Sequence, residues 1–402
     1  MRPFDGRRVI LGVTGGIACY KAITLARLLS QAGAVVDVIM SRAAREFVGP
    51  ITFEAVTGRP VAPDILDAGH ALAHIRLAKE AELVLVAPAT ADLLARAAQG
   101  RADDQLTAVL LATRAPVLIA PAMNDGMWSH ASVQRNADTL RALGYEVLEP
   151  AVGPLAFGEG IGPGRLPEPE TVLAHAGRLL ETAHGLAGRQ VVVTAGPTRE
   201  AIDPVRYITN HSSGRMGVAI AAAAWRRGAQ VTLVHGPLEV PLPAGVTCVA
   251  VTTTAEMRDA VADALPLADA LVMAAAPADF RAAGVATQKL KKGSEAPALA
   301  LAHTDDILAS TRALRRPGAV VMGFALETSD VEANARGKMT RKGLDFIVAN
   351  DATEAGAGFG TDTNRVVILG ADSTREATPL MAKTELADLL LDRVFRALEL
   401  HA

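Results

Sequence analysis

The sequence predicts an α/β protein made of two tandem Rossmann-like three-layer domains with mostly parallel sheets. Three observations carry that expectation. Apolar, β-rich runs alternate along the chain with longer helical patterns, the sign of βαβ units whose strands are buried on both faces. The opening pattern restarts in mid-chain, where Gly188-Arg189-Gln190-Val191-Val192-Val193-Thr194 echoes Gly6-Arg7-Arg8-Val9-Ile10-Leu11. A later strand also repeats, Leu83-Val84-Leu85-Val86-Ala87-Pro88-Ala89 against Leu271-Val272-Met273-Ala274-Ala275-Ala276-Pro277-Ala278. Each domain of this kind needs a buried opening strand and a later one ending in small residues where a ligand meets backbone. Shared βαβ ancestry would give the same echoes without shared function.

Composition narrows the classes. The chain has 402 residues, 50% hydrophobic and 21% charged, with no single-sign charge run, so it holds two or three domains with real cores and little disorder. With 43 acidic against 40 basic residues, net charge −3, the balance argues against a nucleic-acid partner and admits small anionic ligands. No apolar run reaches the ~20 residues of a membrane span, and no signal core follows Met1 to Arg8, so a cytoplasmic protein without a membrane partner is expected. Cys19 and Cys248 are too far apart in sequence to suggest a disulfide framework or a thiolate zinc site.

In order, the first half should open with a strand at Val9 to Val13, a Gly15-Gly16 turn, a helix to about Ala32 and a strand from Val35 to Met40. Buried strands are expected at Leu83 to Ala87, Pro116 to Ala120 and Tyr145 to Leu148. From Glu149 to Pro169 periodicity gives way to Gly and Pro, a long functional loop. A helix from Glu170 to about Thr182 closes the domain, Ala183 to Gly188 is the linker, and the domains span 1–184 and 188–402.

Gly12-Val13-Thr14-Gly15-Gly16-Ile17-Ala18 sits at a strand-to-helix turn, where glycines let backbone amides and the positive helix end approach a phosphate. It lacks the GxGxxG spacing, which favours a mononucleotide over NAD; a plain tight turn is the bland alternative. Ser41, and Ala87 to Thr90, end later strands on the same sheet edge and should line the same crevice. Pro121-Ala122-Met123-Asn124-Asp125-Gly126-Met127-Trp128 offers Met and Trp to a flat ring and an amide to a carboxylate, or forms an ordinary core-edge loop. His74 stands alone in a helical stretch.

Together, the glycine turn, His74 and Pro121-Ala122-Met123-Asn124 with Met127-Trp128 resemble the flavin-containing cysteine decarboxylases. The resemblance implies an FMN site that includes Gly15, Gly16, Ile17, Ser41, Ala87, Thr90 and Met123, with His74 and Asn124 as the active-site pair. It implies oxidation of a cysteinyl thiol to a thioaldehyde, which gives the carbanion left by CO₂ an electron sink. His74 would be the base, and Asn124 would hold the carboxylate through neutral hydrogen bonds that do not oppose its loss. One position departs from the family. In Leu155-Ala156-Phe157-Gly158-Glu159-Gly160-Ile161-Gly162-Pro163-Gly164-Arg165, Phe157 stands where many members carry a proton-donating cysteine. The proton then falls to another donor, Glu159 or water.

The second half contains Ala195-Gly196-Pro197-Thr198-Arg199-Glu200, followed by Asp203-Pro204-Val205-Arg206-Tyr207-Ile208-Thr209-Asn210-His211-Ser212-Ser213-Gly214-Arg215-Met216-Gly217. Ser212 or Ser213 is expected to cap a helix that Gly214 and Gly217 open, forming an anion site. Lysine usage adds to this. Five of the chain's eight lysines, Lys289, Lys291, Lys292, Lys338 and Lys342, fall between 289 and 342, where even scatter would place roughly one. A mobile ammonium suits a triphosphate better than a rigid guanidinium fork; a solvated basic face is the alternative, especially for Lys291 and Lys292.

This half is similar to phosphopantothenate–cysteine ligases, so the whole chain resembles the bifunctional bacterial enzymes of coenzyme A biosynthesis. The resemblance implies that 4′-phosphopantothenate is activated with CTP and joined to cysteine, with Asn210 supporting the acyl-cytidylate and Lys289 the attack by cysteine. It implies a nucleotide site of Met273, Ala274, Ala275, Asp279, Lys289, Asp305, Asp306, Ile307, Leu308, Phe324, Lys338 and Lys342. Mg²⁺ is expected to bridge phosphates, its protein ligands unassigned. A homo-oligomer is implied, a dodecamer built from decarboxylase trimers and ligase dimers. Two rivals are a flavin-binding regulatory protein, which fits Phe157 but not the intact His74, Asn124, Asn210 and Lys289, and an NAD(P) oxidoreductase, which the missing GxGxxG disfavours.

Overall fold

A computed structural model describes residues 2–181, 185–291, 298–327, 329–351, 356, 358 and 360–401. Thr182, Ala183 and His184 at the expected domain junction, and Lys292, lie outside the described residues. The chain divides into two compact units, Met1–Thr182 and Ala183–Ala402.

The first unit begins with β1 (Arg8–Val13), which leads through the glycine turn into α1 (Cys19–Gln31). Next come β2 (Val35–Met40), α2 (Ala44–Phe47), α3 (Pro50–Thr57), α4 (Ala73–Glu80) and β3 (Leu83–Ala89). Thr90 then caps α5 (Ala91–Ala98) by accepting from Leu93 N, and Asp104 caps α6 (Gln105–Ala112) through a capping box with Thr107. After β4 (Val117–Pro121) follow α7 (Asp125–Trp128), α8 (Ala131–Ala142) and β5 (Glu146–Val147).

The sheet is parallel, in the order β2-β1-β3-β4-β5. Alternation along β1 explains the layers: Val9, Leu11 and Val13 pack with α1 and Phe53 of α3, while Ile10 packs with α5, α6 and α8. Because the strand order reverses between β1 and β3, the crevice at their carboxyl ends is the natural ligand position.

The expected loop from Glu149 to Pro169 is instead largely a β-hairpin, β6 (Ala151–Pro154) paired antiparallel with β7 (Ile161–Arg165). Glycine and proline hid it, because they break hydrophobic alternation without preventing pairing across a register shift at Ala151/Val152. The closing helix α9 starts one residue earlier than expected, with Pro at its first position, and spans Pro169–Leu180.

The second unit opens with β8 (Gln190–Ala195), followed by a two-stranded ribbon of β9 (Arg199–Ala201) and β10 (Tyr207–Thr209). Then come α10 (Arg215–Arg226), β11 (Gln230–His235), β12 (Thr247–Ala250), α11 (Thr254–Ala264) and β13 (Ala270–Met273). A ribbon of β14 (Phe280–Ala282) and β15 (Leu301–His303) precedes α12 (Ile307–Ser310), β16 (Val320–Glu327), α13 (Val331–Lys342) and β17 (Phe346–Asp351). The chain ends with β18 (Thr363–Asn364), β19 (Val367–Gly370), β20 (Arg375–Ala377), β21 (Met381–Ala382) and α14 (Lys383–His401).

The main sheet runs β12-β11-β8-β13-β16-β17-β19-β20, parallel as far as β17 and antiparallel beyond it. Its first six strands follow the doubly wound order, with the reversal between β8 and β13. Residues of α11, α12 and α13 cluster with Val192, Leu271 and Ile347 of the sheet, while α10 and α14 pack on β8 and β16 as the third layer. Among the described residues no helix is long and apolar enough to cross a membrane.

Candidate functional sites

In the first unit the turn after β1 is stitched to the turn after β3. Thr14 Oγ1 donates to the Pro88 carbonyl (2.8 Å) and accepts from Thr90 N (3.0 Å), which fixes both loops at the crevice. The two glycines serve different ends. A Cβ on Gly15 would lie 2.4 Å from Ala43 Cβ, so packing requires glycine there, while Gly16 has nothing within 4 Å and leaves its backbone open. Across the crevice, β7 lies directly on the Met123-Asn124 segment. Met123 N donates to the Gly164 carbonyl (2.9 Å), and a Cβ on Gly164 would come within 2.1 Å of the Met123 carbonyl oxygen.

These segments enclose a cavity of about 590 Å³, to which Gly15, Gly16, Ile17, Thr90, Met123 and Asn124 contribute. Asn124 Oδ1 accepts from Gly126 N at 2.8 Å, capping α7 and leaving the amide's two N–H groups as donors. Met127, Pro154, Leu155 and Leu166 add apolar wall. The size, the apolar lining and the open glycine turn fit a flat ring with a phosphate tail.

Three expected residues do not line this cavity. Ser41 Oγ accepts from Ala44 N at the start of α2, and Ala87 is fully buried within β3. His74 lies on α4, and its buried Nδ1 has no partner among the described residues. Phe157 is fully exposed at the hairpin tip, whereas Glu159, held between the positive-φ residues Gly158 and Gly160, lines the cavity. Cys19 Sγ donates to the Thr14 carbonyl at 3.1 Å, and burial pushes its thiol above the ordinary range; it does not line the cavity.

The second unit carries two adjoining cavities at the β8/β13 reversal, about 380 and 220 Å³. Ala275, Pro277, Asp279, Phe324 and Lys342 line both. Asn210, the Ser212 to Gly217 segment, Ala274, Lys338 and Asn350 belong to the larger, and Met273, Asp305, Asp306, Ile307 and Leu308 to the smaller. Helix α10 approaches closely because Gly217 permits it: a Cβ there would stand 2.6 Å from the Thr194 carbonyl oxygen. Its N-cap is Gly214 at φ 79°, not Ser212 or Ser213 as expected. A left-handed residue is needed to turn the chain there, and only glycine adopts it cheaply.

Asn210 Nδ2 donates to the carbonyls of Ala276 and Pro277, both at 3.0 Å, so both its donors are spent on the wall of the cavity. Ala278 N donates to Thr198 Oγ1 at 2.9 Å, fixing the far end of the same loop. Lys338 pairs with Glu327 (2.6 Å) and Lys342 with Asp306 (3.0 Å), keeping two ammonium groups at the cavity walls. Lys289 is exposed and lines neither cavity. Its neighbour Leu290 is anchored, donating through N to buried Asp203 Oδ2 (3.1 Å) and accepting from Arg206. Burial raises the Asp203 pKa, but hydrogen bonds from Val205, Leu290 and Arg206 N–H groups outweigh it and hold the carboxyl below its usual range.

Sequence reasoning missed two buried lysines that line cavities. Lys21 lines the first, its Nζ donating to Leu166 O and Glu168 Oε1, each at 3.0 Å. Lys383 lines the 380 Å³ cavity. Lysine scarcity is the signal that marks them, since only Lys21, Lys79 and Lys383 lie outside the 289–342 window. No group of three or more His, Cys, Asp or Glu is placed to hold a metal among the described residues.

Comparison with known proteins assigns each half. Residues 2–180 match the flavoprotein family and residues 186–398 the DNA/pantothenate metabolism flavoprotein C-terminal domain. The chain is similar to the coenzyme A biosynthesis bifunctional protein CoaBC of Vibrio cholerae, 46% identical over 395 residues that cover 97% of this chain and 98% of the relative. It is 48% identical over 403 residues to the CoaBC of Mycobacterium tuberculosis, covering 96% of each. The crystal structure of a CoaBC C-terminal domain is 36% identical and covers 54% of this chain and 98% of that one, with a TM-score of 0.46. The FMN-dependent cysteine decarboxylase SpaF is also 36% identical, covering 43% of this chain and 97% of that one at a TM-score of 0.38.

Proposed function

Since the chain belongs to the family of coenzyme A biosynthesis bifunctional proteins, we propose that its second unit ligates 4′-phosphopantothenate to cysteine with CTP and Mg²⁺, and its first decarboxylates the product to 4′-phosphopantetheine with FMN. The protein is a bifunctional decarboxylase and ligase. One observation carries it. Asn124 and the glycine turn meet in one cavity, while Asn210, Lys338, Lys342 and Asp279 meet around the other pair. The corresponding domains are 1–184 and 188–402.

In the ligase unit, Asn210 braces the Ala276-Pro277 wall against the reacting carboxyl. Lys338 and Lys342 offset phosphate charge, and Asp279, Phe324 and the segment Asp305 to Leu308 surround the nucleoside. Lys289, on its anchored strand of chain, serves the attack by cysteine. Mg²⁺ would be held chiefly by phosphate oxygens.

In the decarboxylase unit, FMN supplies a two-electron oxidant for the substrate thiol. The open Gly16 backbone and the N-terminus of α1 would hold its phosphate, and Met123 and Ile17 would hold its ring. Asn124 donates two neutral N–H groups to the substrate carboxylate, which orients it without the charge that would resist loss of CO₂. His74 takes the thiol proton. It does not line the cavity that holds Asn124 in its own chain; in this reading a second copy of the chain supplies it, within a homo-oligomer. Glu159 returns the proton that a cysteine would have supplied.

The purified protein should show a flavin absorption spectrum, and it should release pyrophosphate from CTP only when phosphopantothenate is present. A colourless protein after FMN is supplied, or nucleotide turnover indifferent to phosphopantothenate, contradicts the reading.

A further inference from the structure

The loop between β13 and β14 is held from two sides by separate groups. Asn210 takes the carbonyls of Ala276 and Pro277. The next two residues, Ala278 and Asp279, hang on a buried set of side chains. Ala278 N donates to Thr198 Oγ1 (2.9 Å), and Thr198 Oγ1 lies 2.9 Å from Thr254 Oγ1. Thr254 in turn donates through N (2.7 Å) and Oγ1 (2.9 Å) to Glu200 Oε1. Thr198 is 0%, Thr254 1% and Glu200 5% exposed, so water does not compete for these bonds.

The protons in this set run one way. Thr254 has a single hydroxyl proton and gives it to the carboxylate, so Thr198 must donate to Thr254, which leaves Thr198 Oγ1 to accept from Ala278 N. The other acceptor near Thr254 Oγ1, the Ala278 carbonyl, is farther at 3.3 Å and already takes the Thr304 hydroxyl at 2.6 Å. A chain of hydrogen bonds therefore leads from the Ala278 amide to a buried carboxylate, each bond polarising the next. Glu200 is suited to that end, because it meets the first N–H of α11, the positive end of a helix that Thr253 caps.

The chain begins one peptide away from Asp279. The Asp279 carbonyl accepts from Thr304 N (3.0 Å), so backbone is fixed on both sides of its Cα. Its carboxylate lines both cavities and, among the described residues, makes no hydrogen bond or ion pair. Ala278 and Thr304 line only the smaller cavity, together with Asp305 to Leu308, so this end of the loop faces the residues assigned to the nucleoside. We propose that Glu200, acting through Thr254 and Thr198, is a positioning residue for the nucleotide: it sets the Ala278 peptide and thereby aims the Asp279 carboxylate at hydroxyl and amino donors of the nucleoside. This rests on the ligase reading above and on the place of Asp279 in it. A site holds its ligand-contacting groups to the needed precision only when buried partners lock them in this way.

The test is T254V, which keeps the branched shape and removes the hydroxyl that joins Glu200 to Thr198, against T254S, which keeps the hydroxyl and loses the methyl. Kd for CTP is measured by calorimetry on the full chain with Mg²⁺, and KM for phosphopantothenate in the ligase assay at saturating CTP. T254V should bind CTP about tenfold more weakly, the loss expected when a hydrogen bond to a charged group is broken, while KM for phosphopantothenate stays within about twofold of wild type. T254S should stay within about twofold on both measures, since its hydrogen bonds remain. In a D279N background T254V should add less than about twofold, because its effect passes through Asp279. E200Q, which keeps an acceptor for Thr254 but loses the charge, should weaken CTP binding by about threefold, and it carries the test where T254V does not fold.

A T254S as weak as T254V would make packing the cause and overturn the proposal. So would equal losses for CTP and phosphopantothenate, or a T254V effect undiminished in D279N. A D279N protein that binds CTP as the wild type does overturns the nucleotide reading of Asp279 and this inference together. Weakened CTP binding in D279N, with normal binding in both T254V and E200Q, overturns the inference alone.

Discussion

Asn210→Asp is expected to lower CTP-dependent ligation by about 100-fold or more, a loss of the size seen when a preorganised group at a developing charge is removed. The argument is local. The amide of Asn210 spends both N–H groups on the carbonyls of Ala276 and Pro277. A carboxylate there has no donors, faces two carbonyl oxygens and repels them, so the loop lining both cavities must move. It also sets a negative charge beside an acyl phosphate that is already anionic. Decarboxylation of synthetic phosphopantothenoylcysteine should be unaffected, since the first unit contains every residue assigned to it. A variant whose ligation rate stays within about fivefold of wild type would show that the Ala276-Pro277 wall tolerates loss of these hydrogen bonds and an added charge, against the bracing role proposed.

The second large effect concerns how the decarboxylase site is completed. His74→Gln should lower decarboxylation by about 10² to 10⁴-fold, the range for a positioned acid–base group, and Asn124→Ala by about 10² to 10³-fold, the range for a preorganised hydrogen-bond donor. If His74 comes from a neighbouring copy, the two inactive variants complement one another. Mixed assemblies formed by co-expression place an intact His74 against an intact Asn124 in roughly a quarter of sites, by random pairing of copies. Activity should return to about that fraction of wild type, measured on assemblies purified through separate tags on the two variants. Mixed assemblies as inactive as either parent would mean that one chain supplies both groups to its own cavity.

The order of elements was legible because βαβ units write their pattern twice, once in buried strands and again in the helices between them. The glycine turn and the Met123-Asn124 segment were legible for a related reason: chemistry on a strand end needs small or special residues there, and these stand out. Three features were hidden. The β6–β7 hairpin is built from Gly153, Pro154, Gly162, Pro163 and Gly164, so it carries almost no hydrophobic alternation, though Gly164 is what lets it lie on Met123. Gly214, not a serine, starts α10, because backbone geometry outweighed side-chain capping. Lys383 sits 41 residues beyond the lysine cluster that ends at Lys342, and reaches the cavity only because α14 folds back onto α10. His74 is a different case, since it does not line the cavity of its own chain.

The most direct measurement follows cysteine labelled in its carboxyl carbon through both units at once. Incubated with phosphopantothenate, CTP and Mg²⁺, the flavin-loaded protein should release labelled CO₂ and form unlabelled phosphopantetheine, and omission of CTP or of phosphopantothenate should stop both. Labelled CO₂ appearing without CTP, or a labelled ligation product that accumulates and never loses its carboxyl, would contradict the account.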